Sequence, residues 1–351
     1  MSIEFLGSKD RLLEFLSAAI VAHAPKDGHF VDLFCGTASV SGAFRNQGLR
    51  VTANDQLALC STMAEARLLN SGMPRFEALL EAGEVDSQPH EHPYESVLRR
   101  LNALQPRRGF VYRTYSPATA RNSGVERRYF TPTNAAMIDA VRSQIAAWEG
   151  LLSRGERSLL IVDLVRAAST RSNTAGTYGC FLKTWKPRAL EPLTLTLSRG
   201  LSRRRNDHAV YCSDATELAE ALRADVVYAD PPYTKRQYAA YYHVLETIVR
   251  NDRPIVSGKT GLRPWSEASS DFCYRRKAPA ALERLISRLD AGHLFLSYSD
   301  DGQIPDSTIR EILSAFGKLA VLETAYRRYR SSAGPHRGPT VVERLYHVAF
   351  A

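Results

Sequence analysis

The chain has 351 residues, a net charge of +9 and 44% hydrophobic residues, enough for one large core or two modest ones. No long apolar run indicates a membrane span, the first residues lack a signal-peptide pattern, and the five cysteines show no Cys-x-x-Cys spacing. We therefore expect a cytoplasmic protein without a membrane partner, zinc site or disulfide framework. The positive charge favours a polyanionic partner such as nucleic acid.

The first part of the chain predicts a strand, a tight turn and a helix. Residues 30–34 form an apolar run that ends at Cys35 and Gly36, and helical apolar spacing begins at Val40. Gly36 allows a ligand to approach the backbone closely, and N–H groups at a helix start can bind a polar ligand. The small residue Ala38 follows in this turn, and a positive φ there would be strained.

A second apolar run, residues 50–53, ends in Asn54 and Asp55. Asp55 lies twenty-three residues after Asp32, about where an acidic residue on the second strand of dinucleotide-binding folds holds ribose hydroxyls. The G-x-G-x-x-G pattern is absent, which disfavours NAD. The pattern suits a nucleoside cofactor without a pyrophosphate, and a structural βαβ unit with a surface Asp is the alternative.

The middle of the chain predicts an inserted region. Residues 79–95 are polar and contain His90 and His92, which we interpret as an exposed linker in preference to a metal site. Residues 96–205 have a largely helical pattern, clearest at 135–148 and 159–168. We predict that residues 1–75 and 206–351 form a catalytic domain and that residues 76–205 form a helical target-recognition insert.

Three basic stretches stand out, and each also fits a solvated basic loop. One lies between Gln105 and Tyr129, where the aromatic residues Phe110, Tyr112 and Tyr115 are interleaved with arginines. The others are residues 183–205 and the tail after Tyr326. Arginine can bind phosphates and base edges, and aromatic rings can stack on bases, so the three together favour DNA or RNA. The arginines of the first stretch are Arg107, Arg108, Arg113, Arg121, Arg127 and Arg128.

The sequence Asp230-Pro231-Pro232-Tyr233 is the most specific chemical signal. It follows the apolar residues 225–229, which predict a buried strand, and the two prolines stop and stiffen the chain there. A carboxylate, a carbonyl-lined turn and an aromatic ring are thereby presented where open α/β sheets bind ligands. This set suits a planar heterocycle with an exocyclic amino group, and an ordinary strand exit with structural prolines is the alternative.

Further strands are predicted at residues 209–212 and 293–297, followed by a hairpin. The hairpin strands are residues 319–328 and 341–350, with residues 331–335 in the turn. The fold class that follows is α/β.

Four motifs in order along the chain resemble those of Dam-type, adenine-specific DNA methyltransferases. They are residues 5–9 (FLGSK), 32–37 (DLFCGT), 230–233 (DPPY) and 295–299 (FLSYS), and the basic tail resembles the family's last hairpin. Ala38 departs from the pattern, because many relatives have a second glycine there. The resemblance implies a Rossmann-like S-adenosylmethionine-dependent methyltransferase core with a largely helical DNA-recognition insert and a C-terminal β-hairpin.

The resemblance also implies the activity and the site. The expected reaction is site-specific transfer of a methyl group from S-adenosyl-L-methionine to N6 of a flipped-out adenine, for restriction-modification or DNA marking. Asp230 and the Pro231 carbonyl would accept the amino hydrogens, Tyr233 would stack on the base, Asp55 would hold the ribose and Asp214 would contact the cofactor's adenine. The expected catalytic residues are Asp230, Pro231, Pro232 and Tyr233, and the expected cofactor residues are Gly7, Lys9, Asp32, Phe34, Cys35, Gly36, Asp55, Asp214 and Ala215. The expected DNA contacts are Arg171, Asn173, Tyr178, Lys183, Arg236, Gln237, Arg327, Arg330 and Arg337.

The expected partner is double-stranded DNA, bound by a monomer that associates with the nucleoid, with a cognate restriction endonuclease as companion. We expect no metal ion and no covalent enzyme intermediate in the reaction. Cytosine-N4 methylation, RNA or protein-glutamine methylation and a non-catalytic DNA-binding module are alternatives. Cytosine-C5 methylation is disfavoured because no cysteine follows a proline. ATP use is disfavoured because Arg253 occupies the first glycine position of a phosphate loop.

Overall fold

The computed structural model describes residues 9–202, 207–327 and 340–350. It divides into two compact units. The sheet unit comprises Gly7–Ala64, Asn206–Gln237 and Ala268–Ala351, and the helical unit contains Glu65–Arg205 and Tyr238–Glu267. The helical unit therefore begins before residue 76 and includes a segment that follows the Asp-Pro-Pro-Tyr motif.

Seven described strands form one mixed sheet, as the sequence predicted. In sheet order the strands are β3-β2-β1-β4-β5-β7-β6. Their bounds are β1 (His29–Asp32), β2 (Arg50–Asn54), β3 (Ala209–Tyr211), β4 (Arg223–Ala229), β5 (Asp290–Ser299), β6 (Gly317–Arg327) and β7 (Thr340–Phe350).

The α-helices of the described residues lie mainly in the helical unit. In chain order they are α1 (Leu13–Val21), α2 (Ser39–Asn46), α3 (Ala58–Leu68), α4 (Glu77–Glu81), α5 (Pro93–Asn102), α6 (Phe110–Tyr115), α7 (Ala120–Ser123), α8 (Pro132–Ala147), α9 (Arg154–Thr170), α10 (Pro187–Leu190), α11 (Ala215–Ala221), α12 (Tyr238–Tyr241), α13 (His243–Arg250), α14 (Ala278–Ile286) and α15 (Asp306–Ser314). No helix within these residues is both long and apolar enough to cross a membrane.

The centre of the sheet is parallel and creates the ligand-binding edge. β1 pairs with β2 on one side and with β4 on the other, and all three run parallel. The chain passes from β1 to β2 and β3 on one side and then crosses to β4 on the other side of β1, and α/β sheets bind ligands in the crevice at such a switch point. Asp32 is the last residue of β1 and Asp230 directly follows β4, so topology brings the two carboxylates to the same crevice.

The last two strands reverse direction and bring a distant part of the chain to this edge. β7 pairs antiparallel with both β5 and β6, which confirms the C-terminal hairpin strands, while its predicted turn at residues 331–335 lies outside the described residues. Because β7 is antiparallel to β5, its beginning lies beside the end of β5. Glu343 is therefore the register partner of Ser299.

The helical unit is built around α8 and α9, whose buried positions occur on all sides of each helix. Helices that are apolar all round are core helices, which explains why these two gave the clearest sequence signals. Asp163 of α9 is fully buried and accepts hydrogen bonds from Tyr94 and, at 2.7 Å, from Ser198. Burial raises the pKa of Asp163 to about 6 despite these donors.

Candidate active site

The centre of the crevice is a buried ion cluster. The Nζ atom of Lys9 lies 3.0 Å from Oδ1 of Asp230 and 2.5 Å from Oε1 of Glu343. The side chain of Lys9 is 6% exposed, that of Asp230 14% and that of Glu343 0%. Ser297 on β5 donates a hydrogen bond of 3.1 Å to Glu343. One buried cation thus holds carboxylates from β4 and β7 in fixed positions.

The charges in this cluster are not balanced. Burial raises the pKa of Asp230 to about 7, Lys9 opposes that effect and the carboxylate of Glu343 adds to it. Burial alone would lower the pKa of Lys9, but the two carboxylates raise it, so Lys9 is a permanent cation. The site therefore has a negative excess that a bound positive group would neutralise.

Tyr233 lies over this cluster. Its ring centroid is 5.4 Å from Nζ of Lys9 and 6.0 Å from the ring centroid of Tyr298, in an edge-to-face arrangement. The carbonyl of Tyr233 accepts a hydrogen bond of 2.9 Å from the Gln303 backbone. Pro231 is buried and Tyr233 half-buried. The turn is thus anchored on both sides, while part of the tyrosine ring remains exposed.

Asp32 supplies a second carboxylate at the switch point. It is 1% exposed, and its Oδ2 accepts a hydrogen bond of 2.5 Å from Ser41. Its Oδ1 is buried and has no hydrogen-bond partner within the described residues. Burial raises the pKa of Asp32 to about 7, and the nearby charge of Asp230 adds to the effect. An orphaned buried carboxylate oxygen is the signature of a missing donor or cation.

The turn between β1 and α2 is shaped by two left-handed residues. Gly36 has φ of 51° and Ala38 has φ of 57°, so the strain expected for alanine in this turn is present. The Gly36 N–H donates to Oδ2 of Asp55 at 3.0 Å, and the Leu57 N–H donates to Oδ1 at 3.0 Å. Asp55 therefore ties the turn to the end of β2.

Asn54 had no role in the sequence interpretation, yet it organises the same edge. It is 1% exposed and donates hydrogen bonds to the carbonyls of Leu33, at 3.2 Å, and Ser213, at 3.1 Å. Its Oδ1 accepts from both the backbone and the hydroxyl of Ser213. One amide thus joins the loops that follow β1 and β3.

The other expected cofactor residues occupy varied positions. Phe34 is half-buried and packs edge-to-face on Phe272, with ring centroids 5.6 Å apart. Cys35 is buried, which raises the pKa of its thiol. Asp214 is exposed and caps α11 by accepting the Thr216 N–H at 2.8 Å, while the next residue, Ala215, is buried. Gly7 lies outside the described residues.

Comparison with known proteins agrees with this geometry. The family model described as D12 class N6 adenine-specific DNA methyltransferase matches residues 5–299, which span all four motifs. The chain belongs to this family. The prediction of a Dam-type adenine-specific DNA methyltransferase family is thereby confirmed. The seven-stranded mixed sheet agrees with the predicted α/β fold class.

Three relatives extend the comparison. Type II methyltransferase M.NlaIII of Neisseria lactamica is 35% identical over 341 residues, which cover 95% of each chain. Type II methyltransferase M.FokI of Planomicrobium okeanokoites is 34% identical over 336 residues, which cover 94% of this chain and 50% of the relative. Modification methylase StsI of Streptococcus sanguinis is 33% identical over 354 residues, which cover 99% of this chain and 52% of the relative. The chain thus spans about half the length of the last two.

In this D12-class chain, several expected DNA contacts are used internally. Asn173 is fully buried, donates to the Leu182 carbonyl at 3.0 Å and accepts from the Lys186 N–H at 2.9 Å. Tyr178 is 2% exposed, and its carbonyl accepts hydrogen bonds from Tyr129 and His243, each at 2.9 Å. These contacts give both residues a structural role, because a buried side chain cannot reach a duplex in this conformation.

Gln237, in the sheet unit, is also buried and hydrogen-bonded within the protein. It is 8% exposed, donates to the Ser270 carbonyl at 3.1 Å and accepts from the Ser270 N–H at 2.9 Å. Its neighbour Arg236 is half-buried, and its carbonyl accepts from the thiol of Cys273 at 3.3 Å. Gln237 therefore fixes the chain that leaves the catalytic turn.

The remaining expected DNA contacts differ in accessibility. Lys183 is exposed, whereas Arg171 is half-buried and forms an ion pair of 2.8 Å with Glu191. Arg327 ends β6, and its side chain is not described. Arg330 and Arg337 lie outside the described residues.

The first basic stretch also divides into two groups. Arg127 is 6% exposed and donates to the carbonyls of Thr114, Gly258 and Lys259, so it stabilises the helical unit. Tyr115 is fully buried in the same region. Arg128 is half-buried and pairs with Glu126, and Arg113 is exposed and donates to the Arg108 carbonyl. The remaining members are exposed: Arg107, Arg108 and Arg121.

Glu343 is the main site residue that the sequence interpretation missed. It lies in the strand Val341-Val342-Glu343-Arg344, and a single acid in a hairpin strand is normally assigned to solvent. The available signal was its spacing: Glu343 lies two residues before the apolar Leu345, so both residues lie on the same face of β7. A glutamate on an apolar strand face indicates a buried partner such as Lys9.

Proposed function

We propose that this protein methylates N6 of an adenine extruded from a specific sequence of double-stranded DNA. The observation that carries this proposal is the carboxylate of Asp230, fixed by Lys9 beside the half-buried ring of Tyr233. Similarity to modification methylases and type II methyltransferases supports a role in restriction-modification, with a companion endonuclease of the same specificity.

Asp230 and Pro231 activate the amino group in this mechanism. The adenine amino lone pair is delocalised into the ring, so the nitrogen attacks only when it becomes pyramidal. Asp230 accepts one N–H and the Pro231 carbonyl accepts the other, which favours the pyramidal form. The nitrogen would form its bond to the methyl carbon as the carbon–sulfur bond breaks and leaves its electron pair on the sulfur, and the nitrogen would then lose one proton to solvent. Holding the nitrogen in line with the methyl–sulfur bond of the cofactor supplies much of the rate enhancement, because a bound, oriented pair replaces a bimolecular encounter.

Tyr233 supports the extruded base. Taking a base out of the duplex costs a few kcal/mol, and stacking on an aromatic ring offsets part of that cost. The edge-to-face contact with Tyr298 and the hydrogen bond from Gln303 hold the turn before substrate arrives. The ring is therefore preorganised, and little side-chain entropy is lost when the base binds.

The residues at the switch point fit S-adenosyl-L-methionine. When bound, this cofactor supplies a methyl group on a positively charged sulfur. Asp32 and Asp230 are buried carboxylates with raised pKa values, and Oδ1 of Asp32 has no partner within the described residues, so a cationic ligand complements them. In this proposal the turn at Gly36, which has a positive φ, lies against the cofactor, and Asp55 at the end of β2 holds ribose hydroxyls.

Lys9 and Glu343 are positioning residues in this proposal. Lys9 keeps Asp230 ionised by opposing the effect of burial on its pKa, and Glu343 with Ser297 holds Lys9 in place. Without Glu343 as the third residue of the cluster, the Lys9 side chain could rotate towards solvent. Exposed basic residues of the helical unit, Lys183 among them, bind DNA phosphates.

The direct test is substitution of Asp230 by Ala and by Asn. We expect a loss of at least roughly 100-fold in kcat for methyl transfer to duplex DNA, because a group that stabilises the transition state is removed. Binding of S-adenosyl-L-methionine and DNA, measured by calorimetry and gel shift, should change much less. Mass spectrometry of digested DNA nucleosides identifies the methylated base.

Asp271→Asn is the matched control, because Asp271 is an exposed carboxylate of the same unit and pairs with Lys277. It should retain wild-type transfer. An Asp230→Ala enzyme that keeps more than a few per cent of the rate would remove Asp230 from its role. Methylcytosine as the product would replace adenine by cytosine as the target.

A further inference from the structure

Three histidines converge in the sheet unit, outside the proposed catalytic cluster. They are His23, just after α1, His293 on β5 and His347 on β7. One ring nitrogen from each lies within 4.8 Å of the other two. The Nδ1 atom of His293 is 3.1 Å from Nε2 of His347. The sequence separates these residues so widely that only the fold reveals the cluster.

The sheet register orients two of these rings. His347 is the register partner of Phe295, and their rings are stacked with centroids 4.4 Å apart and an interplanar angle of 4°. His293 lies two residues earlier on β5, on the same face of the sheet. The ring centroid of His23 is 4.3 Å from the ring centroid of His347 and 5.0 Å from that of His293.

This geometry is close to that of an imidazole metal site. With zinc–nitrogen distances of about 2.0–2.1 Å, tetrahedral ligand nitrogens lie roughly 3.3 Å apart. The separation of 3.1 Å between His293 and His347 is near this value, and rotation of the exposed His23 ring can adjust the third ligand.

We propose that His23, His293 and His347 bind one divalent transition-metal ion, with zinc as the best match. Three imidazoles suit zinc, copper and nickel and disfavour magnesium and calcium, which prefer oxygen ligands. The fourth position is taken by water, since His23 is on the exposed side of the cluster. The ion lies outside the methyl-transfer chemistry, and the proposal departs from the expectation, drawn from the cysteine spacing, that the protein has no zinc site.

Binding at this site would connect the beginning of the sheet unit to its last strands. In chain order, Lys9 is followed by a short 3-10 helix, by α1 and then by His23. His347 and Glu343 are four residues apart and share one face of β7. An ion that joins α1 to β5 and β7 therefore stabilises the part of the fold that carries both Lys9 and its partner.

The test uses the full-length protein without an affinity tag, treated with chelator and dialysed. Zinc chloride titrated by calorimetry should give one ion per chain, and a raised Tm should follow because a ligand of the folded state stabilises it. Cobalt(II) should give the intense visible absorption of a four-coordinate nitrogen site. His23→Ala should weaken zinc binding at least 10-fold while its circular dichroism stays that of the wild type.

His90→Asn is the matched control, because it removes an exposed histidine of the helical unit and asparagine tolerates its φ of 67°. It should bind zinc as tightly as the wild type. The proposal is overturned if the wild-type protein binds no zinc, or if His23→Ala and a second variant, His347→Gln, bind it unchanged. Both results are independent of methyl transfer.

Discussion

Site residues were predicted from the sequence both in the crevice of the sheet unit and in the loop at residues 171–186 of the helical unit, and the two regions position them differently. In the crevice, Lys9, Asp32 and Asp230 were predicted from motifs, and the structure brings them to one buried place. In the loop, Asn173 and Tyr178 were predicted to face DNA, and the structure buries both.

The difference follows from what fixes each region. The ends of parallel strands must meet at one edge of the sheet, so polar residues there have a shared destination. A loop has no such ladder, and its backbone groups must find other partners. Asn173 supplies those partners by bonding Leu182 and Lys186. A polar residue in a long loop can therefore serve the loop itself as well as a ligand.

In the crevice, a change in the charge balance is expected to shift the pH dependence of activity. Lys9→Gln removes the cation that lowers the pKa of Asp230, so the acid limb of kcat/KM should move to higher pH. Glu343→Gln removes a charge that raises this pKa, so the limb should move to lower pH. Asp230 acts in its ionised form. Each unit by which its pKa rises above the working pH reduces the ionised fraction roughly tenfold. We therefore expect Lys9→Gln to lose at least about 10-fold in activity at pH 7.

These opposite shifts are measured as pH profiles of methyl transfer with saturating DNA. Glu323→Gln is the control, since Glu323 is an exposed glutamate on β6 that pairs with Arg344. Its profile should match the wild type. If both crevice variants shift in the same direction, the cluster does not tune Asp230 and the two residues only support the fold.

In the loop, the expected effect is on stability. Asn173→Ala leaves the Leu182 carbonyl and the Lys186 N–H without their side-chain partner. A fully buried unsatisfied group costs about 1–3 kcal/mol, and because these two groups are only partly buried the free energy of unfolding should fall by about 1–3 kcal/mol in total. Urea unfolding followed by circular dichroism measures this change. A stable variant that has lost only DNA affinity would restore Asn173 as a DNA contact.

The smallest expected effect concerns Lys183 in the same loop. Its side chain is exposed, and only its carbonyl is used internally, by Arg128. Lys183→Ala should leave the free energy of unfolding within about 0.5 kcal/mol and weaken DNA binding several-fold. The slope of log affinity against log salt should decrease by about 1. Fluorescence anisotropy at several salt concentrations measures the slope.

Thr184→Ala is the control for Lys183, since it truncates the next exposed side chain without changing the charge. Its salt slope should stay that of the wild type. An unchanged slope for Lys183→Ala itself would place the phosphate contacts elsewhere among the exposed arginines.

The sequence by itself determined the order of strands and helices, the class of enzyme and the motif residues at the strand ends. Apolar runs, prolines and turn residues are local signals, and they specify β1, β4 and the Asp-Pro-Pro-Tyr turn without reference to the rest of the chain. The strain at Ala38 was also visible there, because it depends on one residue in one turn.

Only the tertiary structure decided which polar residues are partners. Glu343 reaches Lys9 because β7 runs antiparallel to β5, and the three histidines converge because of strand register. Asn173 and Arg127 were indistinguishable from surface residues until their carbonyl partners were seen. The physical reason is that burial of a charge or an amide depends on hydrogen-bond partners that the fold brings from distant parts of the chain.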